Sequence, residues 1–268
     1  MPTSATIVIP ARFASTRYPG KPLVELRGAS GEKRSLIRRS WEAAMAVPEA
    51  SRVIVATDDA RIAGVARAFG AEVAMTPEAC RNGTERCAVV ADMLGEEHDL
   101  IINLQGDAPL TPPWFVSELI AEMVADPETP VATPVLRCDT ATLSGFLEDR
   151  QAGRVGGTTA VFDSNRRALY FSKEVLPYTG RPMGSGEAIP VFHHVGVYAY
   201  RRAELLAYAS LEPGPLEMWE GLEQLRFMEH GIPVRCVEVD GRGRSFWELN
   251  NPSDVERVEK MLSELGID

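Results

Sequence analysis

Apolar and polar positions along the chain fall into two regimes. In the first half, short β-branched runs at 5–10 (ATIVIP), 52–57 (RVIVAT), 71–75 (AEVAM) and 100–105 (LIINLQ) are apolar almost throughout. Continuous runs of this kind predict strands buried on both faces. Between them, helical spacing is seen at about 36–47, 60–69, 85–94 and 114–125. Thr111-Pro112-Pro113 predicts a sharp helix start, because proline's missing N–H is harmless in a first turn. Alternating strands and helices imply right-handed crossovers and a mostly parallel sheet. On such a sheet, ligands bind beyond the carboxyl ends of the strands.

Beyond residue 150 the pattern changes. TTAVFD (158–163), HVGVYAYR (194–201) and PVRCVEV (233–239) read as strands with longer, less regular connections. Segment 177–190, with three prolines and three glycines, predicts a loop. LEMWEGLEQL (216–225) places Met218, Trp219, Leu222 and Leu225 on one side of a helical wheel, with Glu217, Glu220, Gly221 and Gln224 opposite. An amphipathic helix with a solvated acidic face is the expectation there. No repeat and no linker interrupts the chain, so one α/β domain over 1–268 is expected.

Composition narrows the function. At 268 residues and 45% hydrophobic content the chain can bury a large core. A formal net charge of −10 argues against nonspecific nucleic-acid binding, which needs a basic face. The four cysteines form no CxxC pair and no metal-ligand spacing, which predicts reduced thiols. With neither a signal-like start nor a long apolar window, a cytoplasmic protein without membrane partners is expected.

Against that acidic background, IPARFASTRYPGKPL (9–23) concentrates Arg12, Arg17 and Lys21 in one loop after the first strand. The second strand runs into Asp58 and Asp59, the fourth into Gly106 and Asp107. All three lie at strand carboxyl ends, hence on one rim of a parallel sheet. Cations there suit a polyphosphate, and a carboxylate suits Mg²⁺ bridging it. Taken singly, Asp58 and Asp59 read more simply as including a helix cap. The loop lacks GxxxxGK[ST] spacing, and no GxGxxG follows the first strand, so neither a Walker A loop nor a dinucleotide site is indicated. GRGRSF (241–246) holds a lone GxG with no helix after it and carries no argument.

Seven stretches, IPARFASTRYPGKPL, VIVATDD, NGTERCAVV, NLQGDAPLTPP, ALYFSK, HHVGVYAYR and PLEMWEGLEQLR, occur in the order found in the 3-deoxy-manno-octulosonate (Kdo) cytidylyltransferase family. The resemblance spans nearly the whole chain. It implies a GT-A-like nucleotidyltransferase fold: a mostly parallel Rossmann-like sheet flanked by helices, with a smaller substrate and dimerisation half. Residues 1–150 would mainly bind CTP, and 151–240 would mainly bind the acceptor and dimerise. The implied reaction transfers CMP from CTP to an acidic sugar with Mg²⁺, releasing pyrophosphate. The implied catalytic residues are Arg12, Lys21 and Asp107. Nucleotide binding would add Ser15, Arg17, Asn82, Gly83, Thr84 and Gln105, with Arg86 either a phosphate contact or a surface cation. Acceptor binding would use Lys173, His194, Tyr198, Glu217 and Gln224. In an unbroken strand, His194 and Tyr198 would share a face.

Several positions depart from the family pattern. Asn250 stands where a second metal-binding aspartate is usual, leaving Asp107 and Asn250 as the implied metal ligands, only one of them charged. Ala108 replaces a glutamate, Gly156 and Thr159 replace an asparagine and a lysine, and Lys173 replaces an arginine. These changes suggest a reshaped acceptor pocket. Two alternatives follow: transfer of CMP to another ulosonic or nonulosonic acid or a phosphonate, or a nucleotide-binding protein with impaired catalysis.

Overall fold

The computed structural model describes residues 5–14, 18–155, 157–180, 187–244 and 246–268. In chain order the strands are β1 (Ala5–Ala11), β2 (Glu25–Arg27), β3 (Lys33–Ser35), β4 (Ala50–Thr57), β5 (Glu72–Met75), β6 (Leu100–Leu104), β7 (Val131–Arg137), β8 (Thr159–Phe162), β9 (Ala168–Ser172), β10 (Phe192–His194), β11 (Val197–Arg201) and β12 (Val234–Val239). The helices are α1 (Leu36–Met45), α2 (Ala60–Ala68), α3 (Gly83–Met93), α4 (Pro113–Ala125), α5 (Thr140–Gln151), α6 (Arg202–Tyr208), α7 (Pro215–Glu220), α8 (Leu225–Glu229) and α9 (Asp254–Glu264). All but β2 and β3 form one sheet in the order β5-β4-β1-β6-β11-β7-β10-β8-β9, with β12 also on β7. Strands β5, β4, β1 and β6 run parallel, as the alternating pattern predicts. Across β6 the sheet becomes mixed: β11 pairs antiparallel with both β6 and β7, and β10 antiparallel with β7 and β8.

Every residue of β1 is buried, because helices cover both faces of the sheet. Ile7 and Ile9 point into one apolar layer with Ile37, Ile62 and Phe115, while Val8 points into the other with Cys87, Tyr200 and Phe227. A third cluster joins Leu26 and Leu36 to Leu249, Val258 and Leu262, packing α9 on the β2–β3 hairpin. The segment before α9 is thereby brought to the rim where β1 and β6 end.

Two expectations need correction. The stretch 194–201 is not one strand: β10 ends at His194 and β11 begins at Val197. This break lets the polypeptide change neighbours, from β8 to β6, while staying on β7. His194 and Tyr198 still meet, with ring centroids 5.5 Å apart. Nor is 216–225 one helix. Gly221 adopts φ 61°, ψ 40°, which ends α7 and turns the chain before α8. Met218 and Trp219, expected on the buried side, are 69% and 89% exposed.

Candidate functional site

The carboxyl ends of β1 and β6 open onto a cavity of about 420 Å³. Its walls include Arg12, Lys21, Arg81, Asn82, Gly83, Arg86, Gln105, Asp107, Tyr198, Glu223 and Gln224. Arg12 follows β1 directly, and Lys21 opens a short 3₁₀ turn, Lys21–Leu23, whose preceding Gly20 has φ 70°. Lys21 Nζ lies 2.5 Å from Asp107 Oδ2, so the cation loop and the acid after β6 meet as an ion pair. Arg86 is paired with Asp58 at 2.8 Å, and Arg81 with Glu85 at 2.7 Å. Arg12 is exposed and has no carboxylate partner among the described residues; its guanidinium reaches only the Arg81 carbonyl oxygen, at 3.5 Å. An uncompensated cation beside further guanidinium groups suits an anionic ligand.

Ser15 and Arg17 lie outside the described residues. Asn82 caps α3, its Oδ1 accepting the Glu85 N–H at 2.8 Å, and its amide donates to Tyr208 at 2.9 Å. Gly83 packs close: a β-carbon there would lie 3.2 Å from Gln105 Nε2. Thr84 is fully buried beneath the wall, its hydroxyl 3.0 Å from that of Tyr200. Asp59 is the cap of α2, and the Arg61 side chain together with the α2 N–H groups holds its carboxyl down to about 2. Arg86, left open between surface cation and phosphate contact, is buried and lines the cavity.

On the opposite wall, Tyr198 donates to Gln224 Oε1 at 3.0 Å. Gln224 is 1% exposed and its Nε2 has no partner among the described residues. Glu223, which lies within the PLEMWEGLEQLR stretch but has no expected role there, accepts from the Thr84 N–H at 2.9 Å and from Gln105 at 3.2 Å. Burial pushes its carboxyl above the usual range, and these donors pull it back. Two expected acceptor residues point elsewhere. Glu217 is held by Arg226 at 2.6 Å, and His194 is a core residue against Thr133 and Phe171. Lys173 lies at the cavity's edge, its Nζ 3.0 Å from where a Gly221 β-carbon would be. Ala108 and Thr159 are fully buried and line no part of the cavity, so these two changes do not reshape it. Gly156 lies outside the described residues.

Asp107 offers hard carboxylate oxygens on the cavity wall. Among the described residues, no group of three or more His, Cys, Asp or Glu converges on a metal position. Such a donor set fits Mg²⁺, which one or two carboxylates hold together with substrate phosphates and water. Asn250 donates its backbone N–H to Asp254 at 2.9 Å, and its side-chain amide lies against Glu248.

Residues 6–237 match the sequence profile of a family described as Cytidylyltransferase. Over 98% of its length the chain is 44% identical to the 3-deoxy-manno-octulosonate cytidylyltransferase of Maricaulis maris (strain MCS10), covering 98% of that protein. It is 39% identical to the protein of the same name from Myxococcus xanthus (strain DK1622), over 97% of this chain and 96% of that one. Among solved structures, that of CMP:2-keto-3-deoxy-manno-octonic acid synthetase complexed with CTP matches with a TM-score of 0.81 at 35% identity, covering 98% of this chain and 99% of the other.

Proposed function

Because the chain belongs to the cytidylyltransferase family, we propose that it transfers CMP from CTP to the anomeric hydroxyl of 3-deoxy-manno-octulosonate, releasing pyrophosphate. Its mixed α/β sheet is a nucleotidyltransferase fold. The observation that carries the reading is the meeting of two chemistries across one cavity: the Arg12, Lys21 and Asp107 rim faces the Tyr198, Glu223 and Gln224 wall. Arg12 and Lys21 take up triphosphate charge, with Lys21 exchanging its Asp107 partner for phosphate oxygen. The α3 amino terminus at Asn82 and Gly83 offers backbone groups to the base. Mg²⁺ held by Asp107 would neutralise phosphate charge and favour in-line attack on the α-phosphorus. The sugar's hydroxyl is the nucleophile, so no protein nucleophile is needed. Gln224 Nε2, a buried donor without an acceptor, gains one from a sugar hydroxyl, relieving a cost of about 1–3 kcal/mol. Lys173 is positioned for the acceptor carboxylate. Homodimerisation and a cytoplasmic setting belong to the same proposal; among the described residues no helix is long and apolar enough to cross a membrane.

Because Ala108 and Thr159 are buried away from the cavity, they give no reason to prefer a different acid over the one named for the relatives. Incubation with CTP, Mg²⁺ and a panel of acidic sugars, following pyrophosphate, tests the assignment. Preference for 3-deoxy-manno-octulosonate is expected. Tight CTP binding without pyrophosphate release from any acceptor would instead mark a nucleotide-binding protein. Lys21→Ala should weaken CTP binding roughly 10- to 100-fold, the loss of one charge-assisted contact. Asp107→Asn should mainly lower turnover; unchanged turnover would remove Asp107 from its role.

A further inference from the structure

Glu248 has no part in the reading so far, yet its stretch of backbone runs beside Asp107. It lies in the connection between β12 and α9, where the neighbouring Leu249 N–H donates to the Asp107 carbonyl oxygen at 2.9 Å. The backbone therefore runs alongside the acid that follows β6. From there the side chain turns over the break between β10 and β11. A β-carbon at Gly196 would lie 2.8 Å from Glu248 Oε1 and 3.7 Å from Gln105 Cγ, so the Glu248 carboxylate occupies the space a side chain there would enter. Burial is the main influence pushing the Glu248 carboxyl up; the Asp107 charge adds to it and Lys21 opposes it. Glu248 has no ion pair of its own among the described residues, and the Asn250 amide and Gly196 N–H favour its charged form.

This arrangement leaves Lys21 paired with Asp107, and Glu248 beside them without an ion pair among the described residues. When Lys21 turns to a triphosphate, Asp107 and Glu248 lose the ammonium charge that offsets them. Two adjacent carboxylates repel strongly unless a cation bridges them, and two carboxylates with phosphate oxygens and water form an ordinary Mg²⁺ environment. We propose that Glu248 is the second carboxylate facing the divalent cation, and that Asn250 is a positioning residue that orients it. On this view Asn250 need not touch the metal, and the site carries two charged ligands in spite of the amide at that position. The inference rests on reading the cavity as a CTP–metal site.

Mn²⁺ is a suitable probe, because free Mn²⁺ can be followed by electron paramagnetic resonance in the CTP complex without acceptor, where nothing turns over. Glu248→Gln should weaken Mn²⁺ binding about tenfold or more while leaving CTP binding in EDTA unchanged. Asn250→Ala should weaken Mn²⁺ binding less, and adding Asn250→Asp to Glu248→Gln should restore it by supplying a carboxylate nearby. If Asp107→Asn weakens Mn²⁺ binding but Glu248→Gln behaves as wild type, this inference falls and the CTP–metal reading stands. If neither variant changes Mn²⁺ binding, the reading of the cavity falls as well. Loss of metal-free CTP binding in Glu248→Gln would make the side chain structural and overturn the inference too.

Discussion

Thr133 selects one tautomer of His194. Its hydroxyl donates to the Val197 carbonyl oxygen at 2.8 Å, so it accepts from His194 Nε2, 3.0 Å away. That network assigns the Nε2–H tautomer of a neutral ring. His194 is 6% exposed, and burial, reinforced by the neighbouring His193, brings its pKa down from 6.5 to about 3. Since the folded value lies below the unfolded one, the unfolded chain binds the proton first as pH falls. The stability this ring contributes is complete above pH 6.5 and is lost progressively as pH drops toward 3. One such histidine should cost about 1.4 kcal/mol per pH unit within that window. Urea unfolding between about pH 7 and 5 should show a shallower loss in His194→Gln than in wild type; parallel losses would contradict this account. A histidine in an apolar strand is visible in sequence, but the choice between ligand and core residue depends on Thr133, 61 positions away.

At the scale of elements, α7 and α8 show where periodicity fails. A helical wheel presumes unbroken backbone, and Gly221 in the left-handed region breaks it between Glu220 and Leu222. Met218 and Trp219 consequently face outward, while Arg226, a charged residue, is buried at 1% exposure. Arg226 is bound by Glu217 at 2.6 Å and Glu85 at 3.0 Å, tying the element that carries Gln224 to the α3 amino terminus. Arg226→Met should cost about 3–5 kcal/mol, because both carboxylates lose a buried partner. The triple variant Arg226→Met, Glu85→Gln, Glu217→Gln should recover much of that loss in urea unfolding, since no uncompensated charge stays behind. If the triple variant is no more stable than the single one, packing rather than charge dominates.

At the scale of the whole molecule, both walls of the cavity share one sheet. β6 bears Asp107 at its end and pairs with β11, which bears Tyr198. β7, at 131–137, joins β10, β11 and β12 from the second half. Residues 1–150 and 151–240 should therefore unfold together, in one transition seen alike by circular dichroism and tryptophan fluorescence. CTP at a hundredfold excess over its Kd should raise the stability of that single unit by about 2.7 kcal/mol. Two separable transitions, only one shifted by CTP, would refute a common unit.

The sequence by itself determined the parallel half of the sheet, the cation loop, Asp107 and the cytidylyltransferase family. Each of these is written locally, in continuous apolar runs or in residues close together along the chain. Only tertiary structure decided that Glu223 joins Tyr198 and Gln224 on one wall, and where Glu248 lies. Glu223 and Gln224 reach the cavity through a glycine break that periodicity does not register. The Glu248–Leu249 backbone comes alongside Asp107 from 141 positions away because α9 packs on the β2–β3 hairpin, and Gly196 leaves room for the Glu248 side chain above a broken strand. Convergence of distant side chains depends on how the layers pack, and no local pattern encodes it.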